Sequence, residues 1–429
     1  MNITPFLLLI RNAFKIASSI TQPELSLGNS ESEIIHNIHQ IRFHPQNSYL
    51  TTGGHFSDLF VRNMGIFYNA LLDPRIPSTE LDWQNRQEIC YKTVKLALQS
   101  FIKEGTDATT ISFLDNTFAL LNIYSRASDS LYAILYGLKM LTDIQTTLTR
   151  YPSTNSPAHH RLDTQIIQKT NELITKHRNE LKTLIEKYLN EVIDTGTNLI
   201  RKNIHLSSAR DGIKRQSSFY DNVIAWATIQ LALELDIPIN EELYNSHTQD
   251  LRRKKIVQSF WNVQTGIFND DLATNSFSAD QLIVISTQFL NTQKPADCHK
   301  LHSIISYIQN HQLDQPFPLH YSDKHQSSKL YWPVRHFAPN YMTHTIWSHW
   351  GMEYIKLLIL LSSTQPNYID QSATHLQSYK QNIEKFGGYP ECYSLNGLPY
   401  RERLYHTVLN TSWVINYEQA RMLYHQYSS

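Results

Sequence analysis

Glu391 stands in the middle of Phe386-Gly387-Gly388-Tyr389-Pro390-Glu391-Cys392-Tyr393. Two glycines and a proline forbid a continuing helix there and force a tight, pre-shaped loop, while the flanking aromatics offer flat apolar faces. A carboxylate on such a loop, between two helical segments, is where an all-α enzyme places a catalytic group. The plain alternative is an interhelical turn with a solvated Glu. Thr411-Ser412-Trp413 follows shortly after, and three further loops share the same make-up. One runs from Thr51 through Phe56 and Asp58 to Arg62 and Asn63. The second, from Gln216, carries Tyr220, Asp221 and Asn222. The third spans Tyr331 to Gly351, with Trp332, Arg335, His336, Trp347, His349 and Trp350. Aromatic planes beside a few charged or amide groups are the make-up of a sugar pocket, in which ring faces stack and hydroxyls are read.

Loops of this kind need a rigid scaffold, and the composition specifies helices. Only 13 glycines in 429 residues, with many Leu, Ile, Gln, Glu and Lys, favour long helices over hairpins. An apolar content of 41% fills a sizeable core. With 38 basic and 38 acidic residues there is no electrostatic footprint for nucleic acid or an anionic membrane. Cys90, Cys298 and Cys392 are widely spaced, odd in number and without CxxC pairing, which argues against a disulfide framework or zinc knuckle and fits a reducing, cytoplasmic compartment. The apolar run Ile3–Ile10 is interrupted by Arg11 and Lys15 too soon for a membrane span and reads as an amphipathic helix packed on the body, with a cleaved signal as the alternative.

No cofactor or metal is expected. There is no phosphate-cradling Gly loop and no GxSxG elbow. His344 and His349 are off the register of a helical zinc pair, and Asp270-Asp271 reads as a cap and surface turn.

Helical segments alternate with loops along the chain. From Phe56 they run Phe56–Leu72, Trp83–Ile102, Ile111–Tyr124, Ser130–Leu148, Leu162–Ile200, Asn222–Leu235, Glu241–Trp261, Ala279–Leu290, Cys298–Gln309, Thr345–Leu361, Tyr368–Lys385 and Asn410–Tyr427. The segment 151–157, rich in Pro, Ser, Thr and Asn, is a linker. Twelve helices without an internal period of about 34 to 47 residues argue for six α-hairpins closed into a ring rather than an open solenoid. The expected organisation is a short helical extension over residues 1–50, including a helix Glu33–Ile41, packed on an (α/α)6 barrel over 51–429.

With loops and helix order in place, the chain resembles the (α/α)6-barrel glycoside hydrolases: glucoamylase, trehalase, processing α-glucosidase and the α-1,6-glucosidase domain of glycogen-debranching enzyme. The resemblance spans roughly residues 50 to 427. It implies a general acid just before the sixth barrel helix, where Phe219-Tyr220-Asp221-Asn222 is similar to an aromatic-Asp-Asn motif. It also implies a general base between the last two helices, where Gly387-Gly388-Tyr389-Pro390-Glu391 and Thr411-Ser412-Trp413 match a Gly-x-Pro-Glu turn and a Thr-x-Trp segment. Arg62-Asn63 stands where glucoamylase-like enzymes carry Arg-Asp to grip sugar hydroxyls. The Asn at position 63 departs from that pattern.

The chemistry fits that pair. One carboxyl group protonates the leaving oxygen and another activates water, and a spacing of about 6.5 to 9.5 Å gives inversion. Asp221 and Glu391 are 170 residues apart (391 − 221), so only ring closure brings them together. The implied function is an inverting, exo-acting hydrolase of α-linked gluco-oligosaccharides or a small α-glucoside.

Each assignment has a structural competitor. Asp221 also suits a helix cap, and Asp129-Ser130 a cap alone. Arg62 suits a bond to Asp58 one turn earlier. Trp347 and Trp350 suit the core, and Glu353 and Glu418 are rival bases more at home on helix faces. Tyr389 and Trp413 complete the expected sugar contacts. Two other functions stay open: a uronate lyase, with Arg335 and His336 making a cationic floor where the hydrolase needs an acidic one, and a non-catalytic binding scaffold. A phosphorylase would need an anion site in place of Glu391.

Overall fold

The computed structural model describes residues 11, 14–15, 26–44, 46–76, 80–114, 117–122, 124, 126–144, 157–210, 212–402 and 404–428. The apolar run Ile3–Ile10 and the linker over 151–156 lie outside these residues. The described helices are α1 (Glu31–Arg42), α2 (Asn63–Leu71), α3 (Glu80–Glu104), α4 (Ser130–Thr142), α5 (Pro157–Lys176), α6 (Arg178–Val192), α7 (Phe219–Glu234), α8 (Ser246–Phe260), α9 (Ile283–Ser286), α10 (Pro295–Asn310), α11 (Trp332–Phe337), α12 (Ser348–Leu361), α13 (Asn367–Phe386) and α14 (Val414–Ser428).

The helices form two concentric layers. Inside, α2 packs on α4, α4 on α7, α7 on the 3₁₀ turn Ala279–Leu282 that leads into α9, that turn on α12, α12 on α14, and α14 back on α2. Outside lie α3 and α5 against α4, α8 against α7, and α13 against α12 and α14. The ring is an all-α (α/α)6 toroid.

Sequence patterning sorts the layers. Inner helices are covered on all sides and read as continuous apolar runs, so that every residue from Val223 to Ile229 in α7 is buried. Outer helices keep one apolar stripe. In α13 the buried residues are Tyr368, Ser372, His375, Leu376, Tyr379 and Ile383, spaced by three or four apart from the neighbours His375 and Leu376, along a helix otherwise rich in polar residues.

One expected helix is a hairpin. Thr110–Leu114 pairs antiparallel with Thr117–Leu121, and Leu59–Phe60 adds a third strand. The run Thr109-Thr110-Ile111 is β-branched, and Ile111 and Phe113 alternate with Thr110 and Ser112, which suits a period of two better than one of 3.6. The outer-layer helix missing from the expected twelve is α1, which packs against α13.

The first and last helices of the ring are sewn together. The Ser412 N–H donates to Thr52 O at 2.8 Å, and the Arg42 Nε to Asn410 O at 2.9 Å. The Tyr417 hydroxyl donates to Glu31, which also pairs with Arg421 at 2.8 Å. Gln419 reaches from α14 to Asp73 just past α2 at 3.1 Å. Among the described residues, no helix is long and apolar enough to cross a membrane.

Candidate active site

The inner helices start at one end of the ring, and their first residues line a shared cavity. Arg62 immediately precedes α2, Asp129 precedes α4, Trp347 precedes α12 and Trp413 precedes α14, while Tyr220 lies in the first turn of α7. The space they enclose is about 520 Å³. Helix N-termini carry partial positive charge, so an arrangement that points several of them at one site favours negative charge there.

Glu391 is buried at this cavity. Its backbone is fixed from both sides. Upstream, α13 ends on Gly387, whose φ of 63° is the left-handed cap that glycine adopts without strain. Gly388 lies so close to its neighbour that a Cβ there would sit 2.5 Å from Leu409 O. Downstream, Thr345–Trp347 pairs with Cys392–Ser394, placing Trp347 opposite Cys392. The Glu391 N–H donates to Val408 O at 2.9 Å, and its carbonyl accepts from the Ser348 N–H at 3.1 Å and the Ser348 hydroxyl at 2.8 Å.

The carboxyl group is held just as closely. The Tyr341 hydroxyl donates to Oε1 at 2.7 Å and the Tyr405 hydroxyl to Oε2 at 2.9 Å. Burial pushes the Glu391 carboxyl up to about 7, against the two hydroxyls, which favour its ionised form. Each carboxylate oxygen keeps a second lone pair for a water or a substrate hydroxyl.

A polar group built on Arg62 lines the same cavity. Its guanidinium donates to Ser208 O, and Nε lies 3.9 Å from Asp129 Oδ2, which also accepts from the Tyr220 hydroxyl at 3.1 Å. Asp58, the expected partner of Arg62, is paired instead with Arg11 at 2.9 Å. Asn63 donates to Thr52 Oγ1 at 2.7 Å and accepts from Trp413 Nε1 at 3.5 Å. Glu353 lines the cavity and pairs with Lys356 at 2.5 Å. His349 lines it too, beside Asn416, and burial together with Lys356 pushes its imidazole down to about 3, so the ring is neutral. Phe56, Trp347 and Trp350 are also in the lining.

Asp221 is not among the lining residues. It occupies the first turn of α7, where its N–H donates to the Ser218 hydroxyl at 3.0 Å and that hydroxyl donates back to Oδ2 at 2.6 Å. Ser218 rather than Asp221 is the N-cap. Burial raises the Asp221 carboxyl above its usual range, against Arg215 and the hydroxyls of Ser128 and Ser218. The segment before α7 is anchored by a buried ion cluster: Asp270 bonds Arg210 at 2.7 Å and Arg215 at 3.2 Å, and Asp280 bonds Arg215 at 2.7 Å. Asp270 is therefore no surface turn residue.

Other expected contacts fall outside the lining. Asn222 bonds the Ser217 hydroxyl, Ser218 O and the Ile200 N–H, which ties down the start of α7. Tyr389 is buried beside Tyr379 and Tyr417 beneath the Glu391 loop. Trp332, Arg335 and His336 are exposed on α11. The cationic floor expected of a lyase is absent from the described lining, which carries Asp129, Glu353 and Glu391 against Arg62.

Sequence reasoning missed Tyr341 and Tyr405, whose loops carry no marker of their own. It also read Asp129 as a cap. Asp129 does hold the N-cap position of α4, but its side chain makes no capping bond and turns to Arg62 and Tyr220. Among the described residues, no group of His, Cys, Asp and Glu is arranged to hold a metal ion.

No family model matches the chain, and no curated protein matches it. Solved structures do. A rhamnosidase from Klebsiella oxytoca with rhamnose bound superimposes with a TM-score of 0.52 at 12% identity, over 89% of this chain and 60% of that one. The chain thus spans less than two thirds of that protein's length. A GH63 mannosylglycerate hydrolase from Thermus thermophilus, in complex with Tris, gives 0.54 at 10% identity over 92% and 99% of the two chains. A glycosidase gives 0.52 at 11% over 92% and 96%. At these identities the likeness establishes the fold: this chain shares the (α/α)6 toroid of these proteins.

Proposed function

We propose that the protein is a glycoside hydrolase of the inverting, exo-acting kind, with Glu391 as the carboxylate that activates water. The observation that carries this reading is the setting of Glu391: a buried carboxyl at an aromatic cavity, aligned by two tyrosine hydroxyls and raised to about 7. A group with a pKa near the working pH exchanges a proton at least cost to the reaction. Three of the solved toroids it resembles bear the names of glycosidases.

The proton donor is assigned to the segment 208–221. It carries Asp221, the donor implied by the sequence, whose carboxyl is raised as an acid requires. Asp211 is the other carboxylate of the segment and lies outside the described residues. Its flanking residues support including it: Ala209 lines the cavity, and the Gly212 N–H is 3.1 Å from the sulfur of Met342, a lining residue. Asp129 and Glu353, each beside a cation, suit the acceptance of sugar hydroxyls. An α-glucoside is the substrate implied by the sequence, and a small glycoside fits the cavity volume. Residues 51–429, with α1 completing the outer layer, form the catalytic unit, and three free thiols suit a cytoplasmic setting.

The test is incubation with a panel of α- and β-linked disaccharides and glycosyl glycerates, with the first-formed anomer read by proton resonance. Inverted product from the wild type and a loss of at least about a thousandfold in Glu391→Gln are expected. Asp211→Asn and Asp221→Asn, measured side by side, identify the donor as the one whose loss abolishes turnover while the fold survives. Retained anomeric configuration, or near-normal turnover by Glu391→Gln, overturns the assignment.

A further inference from the structure

The cavity grades from a polar floor to an apolar collar. Its deep residues, Arg62, Asn63, Asp129, Tyr220 and Glu353, carry the hydrogen-bonding groups, and Asn63, Asp129, Tyr220 and Glu353 are all buried. The more exposed part of the described lining is mostly apolar: Phe56, Phe60, Pro333, Val334, Phe337 and Leu404 are all partly or largely exposed, with Ser286 the partly exposed hydroxyl among them. Phe337 is 41% exposed and Leu404 39%. Large apolar side chains left in solvent at the rim of a cavity gain free energy only when something apolar covers them.

The short helix α11 sharpens the point. It buries no residue of its own. Pro333, Val334, Phe337 and Ala338 line the cavity, which is one face at helical spacing, while Trp332, Arg335 and His336 do not and are exposed. The helix therefore offers its apolar face to the site and the face bearing Trp332, Arg335 and His336 to water. Within the described lining, Asp129 has Arg62 beside it and Glu353 has Lys356, so neither cation stands without a carboxylate partner. A leaving group that carries a carboxylate meets apolar side chains at the collar and, among the six described residues there, no cation to pair with. One made of a second sugar finds ring faces and, among Phe56, Phe60, Pro333, Val334, Phe337 and Leu404, no polar side chain to read its hydroxyls.

We infer that the collar is an aglycone subsite for an uncharged apolar leaving group, an alkyl or aryl alcohol, and that the site discriminates against carboxylate-bearing aglycones. This rests on the hydrolase reading for its chemistry but not for its binding. In the reaction the glycosidic C–O bond breaks, water supplies the new C–O bond, and the alcohol leaves with the proton given by the acid, so no further reactant is required.

The experiment compares octyl, glucosyl and glycerate α-glucosides and α-mannosides on the wild type and on Phe337→Ser and Leu404→Ser. Both substitutions fall on half-exposed side chains and spare the core. The octyl glycoside is expected to exceed the glycerate glycoside at least about tenfold in kcat/KM, and each variant to cut that ratio at least about fivefold. A preference for the glycerate or disaccharide substrate, or a ratio unmoved in both variants, overturns the inference. A turnover-free arm measures binding of octyl glycoside to Glu391→Gln by calorimetry, with and without Phe337→Ser. Binding that weakens with Phe337→Ser, in a protein whose wild type cleaves nothing, refutes the hydrolase and leaves the apolar subsite standing. Cleavage without such weakening does the reverse.

Discussion

The Tyr341 hydroxyl lies 2.7 Å from Oε1 of Glu391 and donates to it, so the tyrosine both aims the carboxylate and stabilises its charged form. Its ring is in turn wedged between Trp347 at 4.9 Å and Tyr405 at 4.7 Å. Removing the hydroxyl while keeping the ring, as in Tyr341→Phe, takes away a bond that favours the ionised form. The pKa of Glu391 then rises above about 7. A shift of about one unit is expected, the worth of one charge-assisted bond in this range. The acid limb of the kcat/KM profile against pH should move up by that amount. An unmoved limb means that Glu391 does not set it.

The raised pKa also couples to folding. A carboxyl with a folded value of about 7 against an ordinary 4.5 binds its proton more tightly folded than unfolded. Its contribution is fully present below about 4.5 and is lost as pH rises through about 7. Glu391→Gln has no such dependence. Relative to the wild type it should gain stability from pH 5 to pH 8, by about 3 kcal/mol at most. Denaturant melts of both proteins at the two pH values measure this, and a difference that shrinks with rising pH contradicts it.

Asp270→Asn strips the shared partner from Arg210 and Arg215. Both guanidinium groups are buried, so the loss leaves uncompensated positive charge in the interior. The cost should be about 3 to 5 kcal/mol. Burial pushes the Asp270 carboxyl up, but the two arginines outweigh it and hold the group below its usual value. The associated stability is therefore present at neutral pH and is lost as pH falls through the lowered pKa. Thermal melts should show a large drop in Tm at pH 7 that narrows in acid.

Gly351→Ala probes the wall behind Trp350. An added Cβ would meet the Tyr379 hydroxyl and sit 2.5 Å from Pro318 O, and the backbone atom cannot swing aside. Overpacking of this kind costs about 1 to 3 kcal/mol. A variant as stable as the wild type by chemical denaturation would show that α12 shifts freely, contrary to its burial between α13 and α14.

The ring was legible because inner and outer helices write different patterns, as the contrast between α7 and α13 shows. The loop of Glu391 was legible because two glycines and a proline can hardly do anything else. Ile111–Tyr124 was misread because a short apolar run satisfies both helical and strand spacing, and α1 was set aside because little in Glu31–Arg42 states that its partner is α13. The acidic side of the site was harder. Asp129 sits at a helix start, where sequence alone reads a cap, and only Arg62, brought near by α2 packing on α4, turns its side chain elsewhere. Tyr341 and Tyr405 are two of 24 tyrosines, and their shared target emerges only when the hairpin Arg401–Glu402 with Tyr405–His406 folds over the Glu391 loop.

The stitching of α14 onto Thr52, Glu31 and Asp73 bears on how the protein is made. Translation delivers α2 well before α14, so until α14 follows the growing chain is an unclosed crescent with the α14-facing side of α2 uncovered. Such an edge is adhesive, and the long wait between its two halves favours shielding by a chaperone. The cavity, whose lining includes Trp413, becomes complete only once the start of α14 has emerged from the ribosome.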